Sequence, residues 1–210
     1  MEISGEKTIE LAKSAEKVSI DLGVEVIVAP PQPSLWAVAK AVDIPVICQH
    51  LEDADVGSST GYFVPEIAKS YGSIGSLVNH SEHRIDIKSI SNLVRRLKSL
   101  KMTSIICART PAEVAEVAKF DPDFVAIEPP ELIGSGKAIS KEAPQIISSS
   151  LTAVNDNSDL ARMVCGAGIV DKSDVTKALE LGASGILVAS GIIKSGAWEE
   201  KISELASAFI

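Results

Sequence analysis

At 210 residues, with 46% apolar and 23% charged side chains, the chain has the composition of a soluble globular protein and is too apolar to stay disordered. Its formal charge of −8 excludes a nucleic-acid- or membrane-facing protein, whose surface needs concentrated Lys and Arg, yet backbone N–H groups could still hold a small anion. Aromatics are only 4%, so the core must come from Val, Ile, Leu and Ala, as in parallel strands covered on both faces.

The length fits one domain over residues 1–210. Residues 1–9 hold no apolar signal core, and no apolar run approaches the ~20 residues that span a bilayer. Cys48, Cys107 and Cys165, an odd count inside aliphatic runs, are expected to be buried reduced thiols of a cytoplasmic protein.

Residues 6–22 put Leu11, Ala15, Val18 and Leu22 on one helical face, with Ser4 as the expected N-cap and Gly23 as the stop. A strand follows at 24–29, then a Pro-rich turn and a helix over 34–42. Next come a strand at 45–49, a long loop over 51–62 and a short helix at 65–71. Strands are predicted at 73–79, 104–107, 124–128, 163–165 and 185–188. Helices are predicted through 93–100, at 111–119, from about 141, at 171–181 and at 198–209. Seven strands and eight helices in alternation predict an α/β fold of right-handed crossovers, either an open sheet or a barrel. A closed (β/α)8 barrel needs one more strand, placed before Met1.

In α/β barrels catalytic groups sit where strands end. His80 and Glu128 occupy such ends, and a carboxylate that closes an aliphatic strand is either paired or poised as a base. After Glu128, Pro129-Pro130-Glu131-Leu132-Ile133-Gly134-Ser135-Gly136 has a stiff start and a permissive end, which suits a lid. Cys165-Gly166-Ala167-Gly168 and Val188-Ala189-Ser190-Gly191 also follow strands, and small residues there let backbone N–H groups reach a phosphate.

Asn79-His80-Ser81-Glu82 resembles the NHSE motif of triosephosphate isomerases. Residues 125–136 resemble that family's sixth strand and its archaeal-type lid, and the two glycine segments resemble its phosphate loops. Gln49-His50 and Gly57-Ser58-Ser59-Thr60-Gly61 resemble its third strand and interface loop. The resemblance implies a TIM (β/α)8 barrel that interconverts dihydroxyacetone phosphate and glyceraldehyde 3-phosphate, without metal or organic cofactor. It implies Glu128 as base and His80 as electrophile, with Asn79 and Glu82 in support. Ile133, Gly134, Gly168, Ala189 and Ser190 would contact the phosphate. It also implies a homodimer or homotetramer joined through the loop over 51–62.

The family's first strand carries an Asn-x-Lys motif, and none precedes the first helix here. Met1 is therefore expected to be an internal methionine, with the first strand missing and the barrel gapped. Glu82, without its lysine, is expected to lie unpaired in a cleft with a raised pKa, and turnover is expected to be severely impaired. Some of the three thiols, on alternate strands, could line one interior layer, while the plainer expectation is small core residues with no chemistry. The competing readings are a catalytically silent barrel that binds a phosphorylated ligand or acts as a scaffold, and another phosphate-binding barrel enzyme.

Overall fold

Strands and helices alternate along the computed structural model, which describes residues 3–210. In chain order the helices are α1 (Glu6–Leu22), α2 (Leu35–Ala41), α3 (Pro65–Ser70), α4 (Ile87–Ser99), α5 (Pro111–Ala118), α6 (Ile139–Glu142), α7 (Pro144–Asn157), α8 (Lys172–Glu180), α9 (Ser190–Ile193) and α10 (Trp198–Ala206). The strands are β1 (Gly75–Val78), β2 (Thr103–Ala108), β3 (Phe124–Ile127), β4 (Arg162–Cys165) and β5 (Gly185–Ile186), all parallel and in sequential order. Single parallel bridges, Val28 to Val46 and Cys48 to Ser76, extend the sheet beyond β1.

All seven expected strand positions are therefore used, but 24–29 and 45–49 form bridges rather than regular strands, and the run at 185–188 shortens to two residues. Pro45 brings no N–H to its ladder. The segment at 24–29 pairs on one side only, and among the described residues nothing pairs with its outer edge or with the outer edge of β5. The result is the expected α/β barrel, open along one seam. Across that seam α1 packs directly on α10, through Ala15 and Val18 against Ile202 and Ala206, with an ion pair between Lys17 and Glu199.

Period-two alternation sorts the strand residues. Ile47, Ile105, Cys107, Ala126 and Val164 form the barrel interior, with Ile27, Ala29 and Leu187 against them. Their neighbours in sequence, including Cys48, Val78, Ile106, Val125, Ile127 and Cys165, face the helices. The three cysteines thus do not share an interior layer. Cys107 points inward, whereas Cys48 and Cys165 lie in the outer core, because their strand parities differ.

Ten α-helices appear among the described residues rather than eight. The helix expected from residue 141 is two, broken at Ala143, since the residue before Pro144 is biased away from helical backbone (φ −144°, ψ 56°). α9 is a single turn with no apolar period to announce it. α4 begins at Ile87, earlier than the expected 93–100, because the Asp86 carboxylate caps the Lys88 and Ser89 N–H groups. Ser4 does not cap α1. Gly5, with φ 61°, takes that position and supplies no side-chain bond.

Candidate active site

β1 and β3 are separated by β2, and their C-terminal ends carry His80 and Glu128 to the same mouth of the barrel. The Glu128 N–H continues the ladder by donating to the Ala108 carbonyl at 2.8 Å, which fixes where its side chain leaves the sheet. Asn79 turns the chain out of β1 with φ 62°. Its buried amide ties the far end of the turn to β2: Nδ2 donates to the Cys107 carbonyl at 3.0 Å, and Oδ1 accepts from the Ile85 N–H at 3.1 Å. Within the turn the His83 N–H donates to the His80 carbonyl at 2.8 Å.

The Glu82 N–H donates to His80 Nδ1 at 3.3 Å. A neutral imidazole whose Nδ1 accepts must carry its proton on Nε2. That nitrogen lies 3.7 Å from Glu128 Oε2. The Glu128 side chain is 7% exposed, and Oε2 has no hydrogen-bond partner among the described residues. Two residues not expected in the site form its walls. A Cβ on Gly166 would stand 2.5 Å from Glu128 Oε1, so only glycine fits there without displacing the carboxylate. Burial, followed by the adjacent Glu128 charge, pushes the Cys107 thiol well above its usual pKa and keeps it protonated. Spacing to Glu128 in sequence could not reveal either; inward strand parity points to Cys107 alone.

Glu82 departs from expectation. Its side chain is 87% exposed rather than in a cleft, because the turn after His80 carries it outward; its Oε2 lies 3.9 Å from His80 Nδ1. Only its backbone N–H serves the site.

Residues 129–136, expected to form a lid, start with a 3-10 turn at Pro130–Leu132, where the Leu132 N–H donates to the Pro129 carbonyl at 3.0 Å. Ile133 keeps its N–H inside the lid, on the Pro130 carbonyl, and Gly134 is exposed with φ 69°. Past the lid, the chain crosses the loop after β4. A Cβ on Gly168 would overlap the Lys137 carbonyl, and the Ile139 N–H donates to the Ala167 carbonyl at 3.3 Å. The loop after β5 meets the same loop, since a Cβ on Gly191 would come within 2.9 Å of the Ile169 carbonyl. Gly168, Ala189 and Ser190 are thus brought onto adjoining loops, with Ser190 opening α9. Ile133 and Gly134 stand on the lid, apart from them in the chain's hydrogen bonding.

Two further histidines lie together. His50 and His83 stack with centroids 3.5 Å apart and planes 13° from parallel. Burial, and then the neighbouring His83, lower the pKa of His50, while Glu52 opposes the shift.

The triosephosphate isomerase family profile matches residues 1–205. The chain is 46% identical over 207 residues to a triosephosphate isomerase of Cenarchaeum symbiosum, covering 99% of this chain and 92% of that protein. It is 45% identical to that of Methanothermus fervidus, covering 97% and 94%, and 42% identical to that of Caldivirga maquilingensis, covering 100% and 93%. With the family profile over residues 1–205 and these relatives across nearly its whole length, the chain belongs to the triosephosphate isomerase family of enzymes.

Proposed function

We propose that Glu128 moves a proton between adjacent carbons of a triose phosphate while His80 Nε2–H polarises the carbonyl. This division of labour is the established one of triosephosphate isomerases, not one derived from this chain alone. The supporting observation is the 3.7 Å approach of His80 Nε2 to Glu128 Oε2, a buried carboxylate oxygen with no hydrogen-bond partner among the described residues. A carboxylate so placed can accept a proton from carbon, and the imidazole can donate toward the oxygen that becomes negative. Asn79 positions His80, and the Glu82 N–H sets its tautomer. Gly168, Ala189 and Ser190, with Ile133 and Gly134 on the closed lid, contact the phosphate. The lid excludes water and protects the enediolate from losing phosphate.

Residues 1–210 act as one domain in the cytoplasm, as a homodimer or homotetramer whose contact is the loop over 51–62, where Val56 and Tyr62 are exposed. Among the described residues no helix is long and apolar enough to cross a membrane. The expectation of slow turnover draws no support from the relatives, which match 99% of the chain in the first case.

The test is isomerase activity with dihydroxyacetone phosphate, beside Glu128→Gln and beside a form extended by a strand bearing Asn-x-Lys. Turnover that falls about 10²–10⁴-fold in Glu128→Gln supports the assignment. Turnover in the extended form only would still support the isomerase reading and would trace the activity to the added strand. Folded protein without turnover in either form favours the silent barrel.

A further inference from the structure

α8 begins with a capping box. The Asp171 carboxylate accepts from the Asp174 N–H at 2.9 Å, and Asp174 Oδ2 accepts from the Asp171 N–H at 3.1 Å and from the Val170 N–H at 2.9 Å. The box uses one oxygen of Asp174. The other, Oδ1, is committed to Lys141 Nζ at 2.6 Å, although the Asp174 side chain is only 4% exposed. Lys141 sits on α6, the first helix after the lid, and also donates to Ser173 Oγ at 2.8 Å. Ser140 Oγ, beside it, donates to the Asp174 carbonyl at 3.0 Å. Hydrogen bonding to Asp174, first, and its charge raise the Lys141 pKa, so the cation is held across the working pH range.

The same few residues therefore grip both sides of a junction. One side is the loop after β4, with Gly168 and Val170; the other is the arm leaving the lid, whose Lys137 carbonyl lies over Gly168. Asp174 is nearly buried, so its second oxygen loses water and needs a partner, and that partner comes from another element, the half-exposed Lys141. We infer that Asp174 and Lys141 are positioning residues that join the lid's C-terminal arm to the phosphate loop after β4 as one unit. Phosphate contact at Gly168 and closure of the lid are then a single event. The flexible side of the lid is left at its glycines, Gly134 and Gly136, both in left-handed backbone. The role of this junction in turnover rests on the isomerase reading above, whereas the mechanical coupling does not.

Lys141 is half exposed, so its replacement leaves the core intact. Hydrogen exchange by mass spectrometry, on the whole chain without ligand, compares wild type with Lys141→Ala and Lys141→Arg. Coupling predicts that Lys141→Ala speeds exchange about tenfold in residues 137–143 and also in 166–170, with Lys141→Arg restoring both. Faster exchange confined to 137–143 overturns the inference. Turnover gives a second reading. In Lys141→Ala, kcat/KM for glyceraldehyde 3-phosphate should fall about tenfold, and for glyceraldehyde, which lacks the phosphate, less than about twofold. Equal losses for both substrates would mean general damage and would also overturn it. If neither wild type nor the extended form shows turnover, the isomerase reading fails, and the exchange experiment still decides the coupling.

Discussion

The interior strands and the seam strands are built from similar aliphatic residues, yet they end in different environments. Every residue of β2 after Thr103 and of β3 after Phe124 is buried. At the seam, none of residues 24–29 is buried, and 185–188 are all half-buried. The difference lies in neighbours rather than in sequence hydropathy: β2 and β3 are paired on both sides, and the seam segments on one. Pairing is what lets an aliphatic strand become a buried one, because unpaired N–H and C=O groups must keep access to water. The site follows the same division. His80, Glu128 and Gly166 stand on the doubly paired side, whereas Ala189 and Ser190 follow the seam strand β5.

The sharpest test of this contrast is amide exchange along the strands. Amides of β2 and β3 should open only with global unfolding, while those at 24–28 and 185–187 should exchange on the order of 10³-fold faster. Equal protection would mean that the seam is sealed in solution. Core truncation should show the same ranking: Ile127→Ala should cost about 2–5 kcal/mol by denaturant titration, and Ile186→Ala under about 2 kcal/mol. Gly166→Ala acts on the chemistry more than on the fold. By pushing Glu128 off its position it should lower kcat about 10²-fold with a small change in Tm. A variant with full activity would show that the carboxylate tolerates the shift.

The smallest effect is a pH dependence at the stacked histidines. His50 has a lowered pKa in the folded state, so on acidification the unfolded chain takes up its proton first. Its contribution is whole above the unfolded value of about 6.5 and is lost as pH falls through the folded one. Tm should therefore drop between pH 7.5 and 5.5, and His50→Phe, which keeps a ring for the stack but no proton to gain, should flatten that drop.

Strand positions were legible in the sequence because each is a short aliphatic run between turn residues, and His80 and Glu128 because they interrupt such runs at the catalytic end. Helix limits were less legible. The break at Ala143 depends on one Pro, and the start of α4 on one Asp cap, signals that compete with the apolar period around them. The contacts of Gly166 and Cys107 with Glu128 were not legible, although one lay in a noted glycine segment and the other among the strand thiols, because sequence distance does not encode what a residue faces across strands. The exposure of Glu82 escaped for the same reason: a motif gives residue order but not which side chain the turn throws outward.

The contact between α1 and α10 bears on the order of folding. Each strand from β1 to β5 pairs with the next one in the chain, so those pairings need only short loop closures. The helix contact across the seam joins opposite ends of the sequence and carries the largest loop-closure cost. It should form late, after the transition state, and act as a clasp. Loosening it, as with Ile202→Ala, should speed unfolding while leaving the refolding rate nearly untouched. The lifetime of the native barrel would then be set at the place where its sheet is least complete.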